Sequence, residues 1–150
     1  IEDMAAGVFA NTAAKTLIGT GQPEAVVRAE YFGMACQSRI DFVNPLNGIV
    51  DLKTCDDMTW FEADAKRYGY AYQMAFYRAM VRIAIGETVP VHMIAIEKKE
   101  PFRCGVWRIN DQLLDHCQSE NEAAIERLKR CLDTGEWPTG FEDIRIFDSF

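Results

Sequence analysis

Residues 49–54 read Ile-Val-Asp-Leu-Lys-Thr, a strand-like apolar run broken by Asp51 and Lys53. Residues two apart on a strand share a face. The carboxylate and the ammonium therefore project together, and Leu52 turns to the other side. The richness of the run in apolar residues places it centrally in a sheet. An unpaired carboxylate inside a sheet core is expensive, and a bound cation with Lys53 nearby removes much of that cost. Whatever fold this chain adopts must serve that position.

The surrounding periodicity supplies a frame. Met4, Val8, Phe9, Ala13, Leu17 and Ile18 have helical spacing over 4–18. Gly19-Thr20-Gly21-Gln22-Pro23 stops that helix. Residues 24–32 and 34–43 read as a hairpin turning at Gly33. Asn44-Pro45-Leu46-Asn47-Gly48 is a second turn, leading into 49–54. Thr59 and Glu62 form a capping-box pattern ahead of a long helix to about residue 85, with Gly86 at its C-terminal end. Strands follow at 89–97 and 104–109. Asn110 or Asp111 caps a last helix to about residue 132, and Trp137-Pro138 opens an irregular acidic tail. The order predicts an α/β fold, a central mixed sheet flanked by helices. The 150 residues fit one domain over 1–150. The first residue is Ile1 and not Met, so a piece of a longer protein is expected.

No apolar run approaches the roughly 18 residues of a membrane span, and no membrane role is expected. The five cysteines, at 36, 55, 104, 117 and 131, are odd in number and lack any Cys-x-x-Cys pair. That argues against a disulfide framework, a compact zinc site and an iron–sulfur cluster, and predicts reduced thiols in a cytoplasmic protein. The net charge of −7 mildly opposes nucleic-acid binding, but a local patch is what meets DNA. Lys66, Arg67, Arg78 and Arg82 lie on the predicted long helix and form such a candidate patch; the plainer reading is a solvated helix face.

The short 44–48 turn brings Asp41 toward Asp51. Two carboxylates and the backbone carbonyl of Leu52 form an oxygen donor set suited to Mg²⁺. Glu24 is a candidate further acid, with Glu30 competing for the role. Gln73 and Tyr77, four apart, share one helix face, where an amide and a hydroxyl can reach a phosphate, a base or a metal-held water. Lys53 beside the carboxylates can polarise a water and offset phosphate charge. Asp-x-Lys alone is common and usually a structural salt bridge; Gln-x-x-x-Tyr alone is weaker, and Tyr77 alone reads as a core residue. Together, on a strand–strand–helix frame, they predict Mg²⁺-dependent phosphodiester cleavage. His92, inside an apolar strand, is expected to be a satisfied core or edge residue, and His116 a structural one. Trp60, Trp107 and Trp137 are expected to be core or cap residues rather than base-stacking platforms, with contact to DNA left open for Trp60, which precedes the site helix.

These residues resemble the PD-(D/E)XK nuclease superfamily in its Gln-x-x-x-Tyr branch. Within it the likeness is to the nuclease domain of exonuclease VIII (RecE) and related phage-type exonucleases. Gly21-Gln22-Pro23-Glu24, Arg39-Ile40-Asp41, Ile49-Val50-Asp51-Leu52-Lys53-Thr54, Tyr68-Gly69-Tyr70-x-x-Gln73-x-x-x-Tyr77 and Glu136-Trp137-Pro138 carry the likeness, over roughly residues 21–140. It implies a restriction-endonuclease-like core, with Asp41 and Asp51 as metal ligands and Lys53 as catalytic lysine. Glu24 would be the first-motif acid, and Gln73 and Tyr77 the Gln-x-x-x-Tyr pair. It further implies Mg²⁺ or Mn²⁺, 5′-to-3′ digestion at duplex DNA ends, a ring-shaped homo-oligomer, and a single-strand annealing protein as partner in phage or prophage recombination. One departure is that the first helix lacks the histidine that commonly joins the metal site in such nucleases. An endonuclease on the same fold, or a non-catalytic DNA-binding or assembly module, are the rival readings.

Overall fold

The computed structural model describes residues 1–148. Five strands form one sheet: β1 (Gln22–Tyr31), β2 (Met34–Asn44), β3 (Gly48–Cys55), β4 (Val91–Glu97) and β5 (Cys104–Arg108). They lie in the order β1-β2-β3-β4-β5. Only β3 and β4 are parallel; the other neighbours are antiparallel. The expected mixed sheet is therefore present, with β3 at its centre. The helices are α1 (Glu2–Ala10), α2 (Thr12–Ile18), α3 (Phe61–Arg67), α4 (Tyr70–Ile85) and α5 (Asp111–Thr134).

The sheet is covered on both faces, which explains the nearly continuous apolar run of β4. On one face Ile40, Ile49, Met93 and Ala95 pack against Phe61, Met74, Ala75 and Leu114 from α3, α4 and α5. On the other, Val50, Ile94 and Ile96 pack against Val8, Ala14 and Leu17 from α1 and α2. Alternation along β3 thus assigns Val50 to the α1–α2 side, and Ile49, Asp51 and Lys53 to the α4 side.

Two predicted helices are each divided. Asn11 ends α1 and caps α2, its side chain accepting from the Ala14 amide at 3.0 Å while its Nδ2 donates to the Cys104 carbonyl. The run expected from 59 to 85 is a 3-10 turn (Met58–Trp60), then α3, then α4. Its cap is Asp57, which accepts from the Thr59 amide at 2.8 Å; Glu62 instead accepts from Trp107 Nε1. Gly69, at φ 67°, breaks the helix between Tyr68 and Tyr70, a left-handed conformation that glycine adopts freely.

The β2–β3 turn is closed from within. Buried Asn44 accepts from the Leu46 and Asn47 amides and donates to the Leu17 carbonyl, tying α2 to the turn. Gly48, at φ 74°, could carry no side chain, since a Cβ would lie 2.1 Å from the Pro90 oxygen.

Candidate active site

The β2–β3 ladder pairs Asn44 with Gly48, Val43 with Ile49 and Phe42 with Val50. Continuing that register puts Asp41 opposite Asp51. There the ladder stops. The Leu52 amide donates to Asp41 Oδ2 at 2.8 Å, so a carboxylate satisfies the main chain where the partner strand would have done so.

Asp51 is 1% exposed. Its Oδ2 lies 2.7 Å from Lys53 Nζ and has no other partner. Burial raises its pKa; Lys53 opposes that, and Asp41 adds to it. Lys53 Nζ also donates to Gln73 Oε1 at 2.9 Å, and Gln73 Nε2 donates to the Tyr77 hydroxyl at 2.9 Å. A polar chain thus runs Asp51–Lys53–Gln73–Tyr77 from sheet to helix. Residue spacing accounts for each link: two along β3, four along α4. The Tyr70 ring closes the lysine's surroundings, with Nζ 4.7 Å from its centroid. The sequence alone gave Tyr70 no role, although it stands three residues before Gln73, the spacing that puts two side chains on one helix face.

Glu24 falls between the register pairs Pro23–Phe42 and Ala25–Ile40, across the ladder from Asp41, but its side chain is turned to an arginine. It sits at φ 51° in β1, and its carboxylate meets Arg39 at 3.1 Å, both side chains largely exposed. Glu30 is exposed farther along β1, opposite Ala35. Among the described residues no group of three or more His, Cys, Asp or Glu side chains is placed to hold a metal ion. The carboxylates that meet at the ladder's end are Asp41 and Asp51.

The predicted basic patch needs correction. Lys66 and Arg67 are exposed at the end of α3, and Arg82 is exposed on α4. Arg78 is buried and held by Asp115 at 2.5 Å and Asp111 at 3.7 Å. It joins α4 to α5 and does not face solvent. The helical period hid this, because a buried arginine paired across helices looks the same in sequence as an exposed one. Trp60 is exposed at the N-cap position of α3, without a capping side-chain bond, and Trp137 is exposed, so neither lies in the core, whereas Trp107 packs on Phe61 with ring centroids 4.5 Å apart. His92 is half-buried on β4; burial pushes its pKa down, opposed by the Asn47 and Ile49 backbone beside the ring, while Nδ1 makes no well-formed hydrogen bond. His116 is exposed on α5. All five cysteines are free. No helix among the described residues is long and apolar enough to cross a membrane.

A second polar cluster has no signature in the sequence. Buried Glu97, at the end of β4, accepts from Arg103 at 2.6 and 2.9 Å and from the Met58 amide at 2.8 Å. Those bonds, Arg103 first, pull its pKa down to about 2.

A protein-family model described as a PDDEXK-like domain of unknown function (DUF3799) matches residues 1–149. Among solved structures, the chain is similar to a protein from Eubacterium rectale described as a "Putative exonuclease", with a TM-score of 0.80 and 22% identity. The similarity covers 99% of this chain and 60% of the other, so this chain spans less than two thirds of that protein. At that identity the likeness shows the fold. No curated protein matches.

Proposed function

This chain belongs to the PDDEXK-like family DUF3799, within the PD-(D/E)XK nuclease superfamily, and from that premise we propose that it is a divalent-metal-dependent DNA exonuclease. The observation that carries this is the placement of Lys53 Nζ between Asp51 and Gln73, with Asp41 at the end of the same ladder. A lysine that only neutralised a buried acid would not need an α4 amide to aim it.

The donors fit a hard cation. Asp51 is a buried carboxylate whose Oδ2 has Lys53 alone as partner, and oxygen donors suit Mg²⁺ or Mn²⁺. Asp41, Asp51 and the Leu52 carbonyl would hold the ion, with Glu24 as a candidate acting through water. When bound, it supplies positive charge against the negative charge that grows on the phosphate.

The chain's own residues do the rest. Lys53 donates hydrogen bonds toward the attacking water and a phosphate oxygen, positioning the one for in-line attack and offsetting charge on the other. Gln73 fixes where Nζ points, and Tyr77 fixes Gln73. Of the predicted basic patch, Lys66, Arg67 and Arg82 are exposed and available to the DNA backbone.

The finer features rest on the resemblance to exonuclease VIII and phage-type exonucleases. They are 5′-to-3′ polarity at duplex ends, a homo-oligomeric ring, an annealing partner, and a cytoplasmic role in phage or prophage recombination. Purified protein incubated with linear and with covalently closed duplex, with Mg²⁺ or Mn²⁺ and with chelator, tests the proposal. Metal-dependent loss of linear DNA alone supports an exonuclease. Cleavage of the closed circle indicates an endonuclease, and metal binding without cleavage of either indicates a non-catalytic module.

A further inference from the structure

Beside Lys53, at the C-terminal ends of the parallel strands β3 and β4, lies a cavity of about 320 Å³. Phe61 forms part of its floor, and Tyr68, Tyr70, Asp56, Asp64 and Lys98 part of its walls. The Tyr68 and Tyr70 rings stack, with centroids 5.9 Å apart and planes at 26°. Tyr68 is 60% exposed, and the Arg67 guanidinium lies 5.6 Å from its centroid. The helix break at Gly69 is what puts these two tyrosines on one side. A continuous helix would turn residues two apart to different faces.

We propose that this cavity receives an unpaired nucleobase of the DNA strand being cut, stacked on the Tyr68–Tyr70 pair. The proposal rests on the nuclease reading above. The Tyr70 ring touches both places: it lines the cavity and lies under Lys53 Nζ at 4.7 Å. A nucleotide whose phosphate meets Lys53 therefore has its base, or its neighbour's, within reach of the cavity. The charges choose base over phosphate. Asp56 and Asp64 repel a phosphate but accept hydrogen bonds from base N–H groups, and Lys98, paired with Asp56 at 3.2 Å, can donate to a base carbonyl. In a duplex both faces of an internal base are covered by its neighbours, so a base stacked on Tyr68 within this cavity has left the helix and is unpaired. Ring stacking tolerates any base, which suits an enzyme that must advance through every sequence.

Steady-state cleavage of duplex ends by wild type, Tyr68→Ala and Tyr68→Phe tests this. Each acts on intact DNA and on a series carrying one abasic residue at each of the first positions. Tyr68→Ala should raise KM about 10-fold on intact ends, and Tyr68→Phe should restore it. At one position the abasic substrate should cost wild type a similar factor, and Tyr68→Ala should then add nothing. Equal Tyr68→Ala losses on intact and all abasic ends, or no loss at all, would overturn the base pocket and leave the nuclease reading standing. A wild-type protein that cuts no DNA with Mg²⁺ or Mn²⁺ would overturn both.

Discussion

Gln73 Oε1 accepts a hydrogen bond from Lys53 Nζ at 2.9 Å, joining helix α4 to the central strand at its polar position. Lys53 could otherwise swing toward solvent on a flexible stem. Its ammonium is instead fixed by Asp51, Gln73 and the Tyr70 ring. The lysine is thus preorganised, which is what electrostatic catalysis requires.

Lys53→Ala should reduce cleavage by a factor of about 10² to 10³ while keeping metal affinity, because lysine is not a ligand. Calorimetry with Mn²⁺ should still detect binding, tightened by the loss of a nearby positive charge. Loss of binding together with loss of fold would return Lys53 to the role of a structural salt bridge.

Gln73 acts through Lys53, so its removal should cost less. Gln73→Ala is expected to lower kcat about 10- to 100-fold. In the Lys53→Ala background the same change should have little further effect, since coupled residues are not additive. Full additivity in that double-mutant cycle would disconnect the two.

Asp51→Asn should abolish metal-dependent cleavage with the far-UV circular dichroism spectrum unchanged. Burial disfavours the charged form of Asp51. In chelator at pH 7, therefore, the thermal midpoint of the variant should equal or exceed that of wild type. Mn²⁺ should raise the wild-type midpoint by mass action and leave the variant's unchanged. Retained activity would remove Asp51 from the site.

The strands and their succession along the chain were legible because apolar runs and turn residues agree at nearly every boundary, whereas the parallel pairing of β3 with β4 has no local signal. Asp51 and Lys53 stood out because polar residues on a central strand need a reason. What could not be read is what depends on rotation about a break. Gly69 divides one apparent helix, so a single helical face cannot relate Lys66 and Arg67 to Gln73. Arg78 carries the same chemistry as Arg82, and only the approach of α5, with Asp111 and Asp115, decides that one is buried and the other exposed. Glu97 and Arg103 become partners through the short β4–β5 connection, which carries no distinctive local pattern.

Glu97 supplies a pH dependence separate from the site. Its carboxyl is pulled from an ordinary 4.5 to about 2 in the folded state. A depressed pKa means that the ionised form favours folding. This contribution is complete above about pH 4.5, and it is lost as pH falls toward about 2. Glu97→Gln should therefore lower the urea midpoint at pH 7, with the gap to wild type narrowing between pH 4.5 and 2. A constant gap across that window would show that the Arg103 and Met58 bonds do not depend on the charge.

The acidic chain can hold DNA only if its cations are unevenly placed, and the structure divides the predicted basic residues into two kinds. Lys66 and Arg67 are exposed, whereas Arg78 is 4% exposed against Asp111 and Asp115. Charge reversal should therefore separate them. Arg78→Glu would bury a carboxylate facing two aspartates, and about 3–5 kcal/mol of stability should disappear, read as a lowered urea midpoint whether or not DNA is present. Reversal of both Lys66 and Arg67 should leave that midpoint nearly unchanged but weaken binding to duplex ends. The slope of log affinity against log salt becomes shallower by about 0.9 for every phosphate that is no longer neutralised, so the double variant should bind with a slope shallower by up to about 2. An unchanged slope would make Lys66 and Arg67 part of an ordinary solvated surface and leave Arg82 as the exposed cation of the predicted set still to be tried.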